Sequence, residues 1–139
     1  MKLLMLYCDR FAWRPTVRTL ESAAAGEAGE VRTAVVGLIH VEPADVDPDG
    51  RVASRVVTRL LKNLKWLAGK NTTRTILLHS FSHLAAEKAD ATAGAGLFAA
   101  ARTRLAEAGY EVHETPYGHF NDLAIEAPGH PLARVFKSF

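Results

Sequence analysis

The stretch VRTAVVGLIHV, residues 31–41, followed by RVASRVVTRLLKNLKWLAG, residues 51–69, decides the fold class. The first segment is rich in β-branched residues, which predicts a long central strand that Pro43 ends. The second segment repeats apolar residues at three- and four-residue spacing, which predicts an amphipathic helix with Gly69 as its C-cap. A buried strand that leads into a long helix is typical of an α/β protein.

The segments before residue 31 extend this pattern. Leu3 to Cys8 is a short apolar run that ends at Asp9, which predicts a buried first strand followed by a loop. Residues 16–30 contain Gly26 and Gly29 within an otherwise helix-forming composition, so we predict a loop there with at most a short helix.

The segments after residue 69 predict a second long helix among further strands. They are a strand at 75–78, a helix at 91–108 ended by Gly109, a strand at 110–115, a turn at 116–118, a strand at 121–126 and a short terminal helix. The sequence therefore predicts one α/β domain over residues 1–139, with two long helices that cover one face of a mixed sheet.

Composition excludes several classes of protein. With 139 residues, 48% of them hydrophobic, the chain can bury a core that needs neither disulfides nor a structural metal. The single cysteine, Cys8, has no internal partner, so a cytoplasmic location is the default. No apolar run approaches the roughly 20 residues of a membrane helix, and Asp9 interrupts the resemblance of the start to a signal peptide. We therefore predict no membrane association.

Positive charge is concentrated in one segment, although the net charge is only +2. Residues 51–74 contain seven lysines and arginines and no acidic residue. Such a stripe is either a solvated helix face or a surface that neutralises RNA phosphates, and composition alone leaves both open.

The sequence contains few residues that match known catalytic, metal-binding or phosphate-binding motifs. His79 and His83 are four residues apart, but they follow a strand and no third ligand stands at a familiar spacing, so no metal site is predicted. A histidine at the end of a buried strand is well placed for proton transfer or substrate binding, and a purely structural role competes with that. The glycine-rich residues 93–96 lack the Lys-Ser/Thr pair of a phosphate loop, and no Gly-x-Ser-x-Gly hydrolase motif occurs.

Several short motifs, in order, resemble the N-terminal editing domain of archaeal threonyl-tRNA synthetases. They are Leu3-Leu4-Met5-Leu6-x-x-Asp9, Val41-Glu42, Phe81-x-His83-Leu84, Gly109-Tyr110, Pro116-Tyr117-Gly118 and Gly129-His130-Pro131-Leu132-Ala133. The resemblance covers essentially all of the chain. It implies a fold shared with D-aminoacyl-tRNA deacylases: a dimeric α/β domain that binds the 3′ aminoacyl-adenosine of tRNA and hydrolyses the ester.

The resemblance also assigns residues to roles. It implies that His83 positions or activates the attacking water, and that backbone groups near Val41 and Glu42 hold the adenine. The implied aminoacyl pocket is lined by Ser80, Phe81, Ser82, His83, Tyr117, Gly118, His119, Phe120 and Asn121. The basic helix, through Arg51, Arg55, Arg59 and Lys62, becomes a candidate contact for tRNA phosphates.

Three positions depart from the family pattern. Phe120 and Asn121 stand where the family carries a tyrosine and a lysine, and Arg134 stands where it carries a glutamate. Because an asparagine side chain does not exchange a proton near neutral pH, the chemistry then depends on backbone and substrate groups, or the pocket serves another ester. His119 and Asp122, beside the altered positions, either compensate or are surface residues of a turn. The predicted catalytic set is His83, His119 and Asn121.

The resemblance leads to one expected function and two alternatives. We expect a cytoplasmic homodimer that hydrolyses mischarged tRNA, foremost Ser-tRNA(Thr), without metal or cofactor, either in trans or as part of a threonyl-tRNA synthetase. The first alternative is an aminoacyl-tRNA-binding module or accessory synthetase subunit that has lost turnover. The second is a deacylase for a different aminoacyl group, including a D-aminoacyl group.

Overall fold

The protein is a six-stranded mixed sheet with two long helices, and the computed structural model describes residues 1–139. The strands are β1 (Lys2–Arg18), β2 (Gly29–His40), β3 (Thr75–Ser80), β4 (Glu111–Glu114), β5 (His119–Glu126) and β6 (Arg134–Ser138); the helices are α1 (Ser54–Lys70) and α2 (Ala91–Glu107). Short 3-10 helices lie at Pro43–Asp45 and Pro131–Ala133. The predicted α/β class with a mixed sheet and two long helices is confirmed.

The strand order brings the ends of three parallel strands together, where a site can form. The order is β4-β3-β2-β1-β5, with β6 pairing the first half of β1. Strands β2, β3 and β4 are mutually parallel, whereas β1 is antiparallel to β2, β5 and β6. The carboxyl ends of β2, β3 and β4 therefore lie together, and the loops that follow them share one rim, where α/β proteins commonly bind ligands.

Both helices pack on the same face of the sheet. Leu3 of β1 and Ile39 of β2 belong to one buried cluster with Leu60 and Leu64 of α1 and Leu97 of α2. Burying each such leucine contributes roughly 2 kcal/mol, so this cluster is the main source of stability. The predicted arrangement, with two helices on one face, is confirmed.

The opposite face carries a smaller cluster. Phe11, Leu77 and neighbours form this second core, and Leu123 of β5 packs against it. The ring centroids of His83, just after β3, and Phe120, on β5, are 6.4 Å apart although two strands separate β3 from β5. Because His83 belongs to the loop that follows β3, this loop brings its ring to the side of β5.

Two predicted elements are wrong. The first strand does not end at Asp9 but continues to Arg18, because residues 10–18 pair with β5 on one side while residues 10–13 also pair with β2. The terminal segment forms a 3-10 helix only at Pro131–Ala133 and then the strand β6, which pairs with Lys2–Leu6. In both cases distant strand partners outweigh local composition. Neither helix is long and apolar enough to cross a membrane.

Candidate functional site

A cavity of about 290 Å³ opens at the rim formed by the ends of β2 and β3. Two segments flank it: residues 81–90, the loop wall, which follow β3, and residues 115–121, the turn wall, which lead into β5. The N-terminal end of α2 and the end of β1 complete it. Among the predicted site residues it is lined by Val41, Ser80, Phe81, Ser82, His83, Tyr117, Gly118, His119, Phe120 and Asn121.

The loop wall is held by hydrogen bonds to β2. His40 is fully buried; its Nδ1 accepts the Leu84 N–H at 3.2 Å, and its Nε2 donates to the Glu87 carbonyl oxygen at 2.7 Å. These two partners require a neutral ring with its proton on Nε2. The Phe81 and Ala89 N–H groups each donate to a β2-side carbonyl at 2.9 Å. Four hydrogen bonds therefore fix a loop that contains no regular secondary structure.

The turn wall is held by close packing. The backbone at Gly118 has a φ of +79°, which glycine adopts without strain, and its carbonyl oxygen accepts the Thr19 N–H at 2.8 Å. Tyr117 Oη donates to the Ala91 carbonyl oxygen at 2.9 Å. A Cβ on Gly94 would lie 2.2 Å from that Oη, so the tyrosine fits only because residue 94 is glycine. The sequence pattern of residues 93–96 did not reveal this role.

The two walls meet at the mouth of the cavity, around the imidazole of His83. This exposed ring lies edge-on to Phe81, with centroids 4.9 Å apart, and nearly parallel to Phe120, at 6.4 Å and 22°. Phe120 itself is 55% exposed. Aromatic neighbours on both sides restrict the imidazole while leaving it in contact with solvent and with anything that enters the cavity.

One buried polar group that lines the cavity, His79, is absent from the site residues predicted from the sequence. His79 is only 5% exposed, and its Nδ1 lies 2.8 Å from Thr115 Oγ1. Burial, together with the nearby His83, lowers the pKa of His79 to about 4, so the ring is neutral at physiological pH. The available signal was its place at the end of a buried strand, in the same rim as His83.

His119 and Asn121 both line the turn wall, whereas Asp122 does not. Asn121 Nδ2 donates to the His119 carbonyl oxygen at 3.3 Å, and its Oδ1 is buried without a partner. His119 Nδ1 lies 3.3 Å from the Tyr117 carbonyl oxygen. Asp122 pairs with Arg14 on the surface. Of the two residues weighed as compensating groups, only His119 reaches the cavity.

Glu42 does not line this cavity, and its expected place beside the adenine stays a prediction. Its carboxylate lies 2.6 Å from the Met1 amino group, which lowers the pKa of Glu42, and its N–H donates to Asp45 at 2.8 Å. Val41 does line the cavity; its carbonyl accepts from Ala89, and its N–H has no protein partner. The backbone contact to the adenine expected near both residues stays a prediction.

The remaining predicted residues lie outside the cavity. Arg51 precedes α1, and Arg55, Arg59 and Lys62 are exposed on that helix, with the Arg59 guanidinium 4.8 Å from the centroid of the Phe139 ring. Arg134 begins β6, opposite Leu6 of β1. No three His, Cys, Asp or Glu side chains are grouped closely enough to hold a metal ion.

Comparison with known proteins identifies the family of the chain. The family model described as the archaea-specific editing domain of threonyl-tRNA synthetase matches residues 1–139. A threonine--tRNA ligase of Cenarchaeum symbiosum is 30% identical over 99% of this chain and 21% of the relative, and one of Pyrobaculum aerophilum is 26% identical over 100% of this chain and 22% of the relative. The chain thus spans about a fifth of the length of these relatives.

Among solved structures, the fold resembles the c-Myc DNA unwinding element binding protein, with a TM-score of 0.62, 11% identity and coverage of 100% of this chain and 99% of that one. At this identity the likeness concerns the fold alone, and it agrees with the D-aminoacyl-tRNA deacylase-like architecture expected from the sequence. With the family model matching over its whole length, the chain belongs to the archaea-specific editing-domain family of threonyl-tRNA synthetase.

Proposed function

We propose that the cavity binds the 3′ aminoacyl-adenosine of tRNA and that the protein hydrolyses its ester bond, with Ser-tRNA(Thr) as the substrate. One observation carries the proposal: His83 and the segment Tyr117–Asn121, which are separate in sequence, line one solvent-accessible cavity. Family membership supports the same assignment. The proposed unit is a single domain, residues 1–139.

Discrimination between serine and threonine explains why such an activity is needed. Serine is smaller than threonine by one methyl group, and a pocket that accepts the larger molecule rejects the smaller by only roughly 1 to 3 kcal/mol. A synthetase that requires higher accuracy must therefore remove the seryl group afterwards, at a second site. A hydrolytic cavity in an editing-domain family fits that requirement.

In the proposed mechanism, His83 orients the attacking water. Its imidazole is exposed at the mouth and restricted by Phe81 and Phe120, so a water molecule bound to it would face a substrate that enters the cavity. Asn121 supplies hydrogen bonds but no proton, and His119 is the second titratable group on the turn wall. Backbone N–H groups and the terminal ribose hydroxyl share the stabilisation of the developing oxyanion.

The nucleoside occupies the β2 side of the cavity in this proposal. Backbone groups near Val41 and Glu42 hold the adenine in this proposal, and the free N–H of Val41 is a donor for the adenine edge. The stripe Arg51, Arg55, Arg59 and Lys62 then contacts tRNA phosphates, since it is exposed and unopposed by acidic residues on the helix.

We further propose a homodimer in the cytoplasm that acts with, or as part of, a threonyl-tRNA synthetase. Phe136 is 54% exposed, and it stands in register with Leu4 of β1 on the face that the helices leave uncovered. An apolar group of this kind on an open sheet face supports association with a second copy.

The alternative candidate is a binding module that retains the cavity without turnover. The replacement of the family lysine by Asn121 favours it, because no ammonium group is available on the turn wall. A module would bind misacylated tRNA as tightly as the enzyme does but release it unchanged.

Deacylation of seryl- and threonyl-tRNA(Thr) separates these candidates. The wild-type protein should hydrolyse the seryl ester faster than the threonyl ester, and His83→Ala should lower kcat at least about 100-fold. Asn121→Lys should raise activity if the missing ammonium limits the rate. Binding without hydrolysis of any ester in a panel of charged tRNAs, including D-aminoacyl esters, would select the module.

A further inference from the structure

The floor of the cavity contains a polar pair that the proposed mechanism does not use. His79 and Thr115 are both nearly sealed from solvent, at 5% and 3% exposure, and they are joined by a 2.8 Å contact between Nδ1 and Oγ1. The rings of Phe11 and Phe81 lie 6.0 and 5.9 Å from the imidazole. Placing two polar side chains among aromatic rings is costly unless their hydrogen-bonding groups are used.

One hydrogen-bonding atom of this pair is available to a ligand. Nδ1 of His79 is engaged by Thr115, and no protein atom hydrogen-bonds its Nε2. Asn121 Oδ1 is the one buried side-chain polar atom that is both sealed and unpartnered, so Nε2 retains access to solvent. Because His79 lines the cavity, that access comes from inside it.

The chemistry of the pair selects among the groups of a substrate. A neutral imidazole has one donor and one acceptor nitrogen, and the Thr115 hydroxyl can donate to or accept from Nδ1, so Nε2 can take either role. A substrate hydroxyl, which also donates and accepts, matches both tautomers. An ammonium group matches only the acceptor form, and an ester carbonyl matches only the donor form.

We infer that His79, oriented by Thr115, is a specificity-determining residue that hydrogen-bonds the side-chain hydroxyl of the aminoacyl group. The inference rests on the proposed function and deepens it, since it names the residue that distinguishes the proposed seryl ester from alanyl or glycyl esters. The neutrality of His79 agrees with a partner that carries no charge.

The test compares two ligands that differ by a single hydroxyl. Seryl and alanyl amides of 3′-amino-3′-deoxyadenosine are not hydrolysed, so calorimetry reports their binding without turnover. The variants are His79→Phe, which keeps a ring of similar shape, and Thr115→Val, which keeps the branched side chain. His113→Phe, on the neighbouring strand β4 and outside the cavity lining, is the matched control.

Wild type and His113→Phe should bind the seryl analogue at least about tenfold more tightly than the alanyl analogue. His79→Phe should abolish this ratio, and Thr115→Val should reduce it severalfold. Equal wild-type affinities, or a loss in His79→Phe that is the same for both analogues, would overturn the inference and assign the ring to packing or to the ester. Binding of neither analogue would overturn both the inference and the proposed cavity. Selective binding without hydrolysis of Ser-tRNA(Thr) would overturn only the proposed deacylation.

Discussion

The loop wall and the turn wall enclose the same cavity but are held by different forces. The loop wall has no regular secondary structure and is held by hydrogen bonds. His40 donates one and accepts one, and carbonyls on the β2 side accept two from N–H groups of the loop. On the turn wall, Tyr117 and Gly118 fit into spaces left by Gly94, Leu20 and Ala23. The first wall therefore depends on hydrogen bonds of a buried histidine, whereas the second depends on side-chain volume in addition to its own hydrogen bonds from Tyr117 and to Gly118.

This difference means that the walls can be disturbed separately. Hydrogen bonds between a buried histidine and the backbone are lost when the ring is replaced by an apolar ring of similar size. Tight packing responds instead to an added methyl group. Variants matched in this way reveal which wall each step of binding and hydrolysis requires.

The largest effect should come from acid, which destabilises the His79–Thr115 pair on the floor of the cavity. The pKa of His79 is lowered to about 4, so the unfolded chain binds an additional proton between about pH 6.5 and pH 4. The free energy of unfolding should therefore fall as the pH decreases through this window, by up to about 3 kcal/mol. Urea unfolding at pH 7 and pH 4 measures the change. His79→Phe should lose most of this slope, while His113→Phe should retain it; equal slopes in all three proteins would contradict the assignment.

An added methyl group should disrupt the turn wall. Gly94→Ala places a Cβ 2.2 Å from Tyr117 Oη, so the tyrosine must move, at a cost of about 2 kcal/mol in stability and a loss of deacylation. Gly96→Ala, two residues away on the exposed side of α2, meets nothing within 4 Å and should be neutral or stabilising by roughly 0.5 to 1 kcal/mol. Thermal melts and seryl-tRNA hydrolysis report both effects, and indistinguishable variants would show that Tyr117 is not held as described.

Removing the hydrogen bonds of His40 should loosen the loop wall alone. His40→Phe leaves the Leu84 N–H and the Glu87 carbonyl without partners, which we expect to cost about 1 to 2 kcal/mol. Hydrogen exchange of the Leu84 amide should accelerate, while the Thr19 amide, which contacts Gly118, should be unaffected. Equal acceleration at both amides would mean that the two walls open together. The pH profile of hydrolysis by His40→Phe, compared with that of wild type, separates two effects. A variant that misplaces His83 should show a changed profile, whereas one that has only lost stability should show the same profile at a lower rate.

The smallest effect on stability should come from the basic stripe, which belongs to neither wall. Arg55→Glu with Arg59→Glu alters two exposed residues of α1, so unfolding should change by no more than about 0.5 kcal/mol. Binding of tRNA at low salt should nevertheless weaken, and the dependence of affinity on salt should become less steep. Charge reversal at Arg32 and Arg102, which pair with Glu30 and Glu114, controls for the change in net charge and is compared on tRNA affinity alone. Unchanged affinity and an unchanged salt slope would leave the stripe as a solvated face.

The elements of the fold that sequence patterns predicted are those whose own residues determine them. The apolar spacing of α1 and the β-branched run of β2 identify these elements within two or three residues at each end. The second half of β1 and the strand β6 were missed, because their polar residues become strands only through pairing with distant partners. Local composition carries no information about such pairing.

The residues of the candidate site also fall into two groups: those that sequence motifs predicted, and those whose roles depend on distant partners. The family motifs pointed to His83 and to Tyr117–Asn121, and the cavity contains them. The Glu42 carboxylate lies outside this cavity because it pairs with the Met1 amino group, a contact between residues 41 positions apart that no local motif predicts. The roles of His40, His79 and Gly94 depend on neighbours that only the folded chain brings together, so no local sequence motif predicts these roles.

The position of a bound seryl-adenosine mimic tests the central claim most directly. A crystal structure of the protein with the non-hydrolysable seryl analogue should show the aminoacyl group between His83 and Gly118, its hydroxyl at His79 and its adenine at the Val41 N–H. Density for the analogue elsewhere on the surface, or an empty cavity at concentrations that saturate binding in solution, would contradict the assignment of this cavity to the aminoacyl end of tRNA.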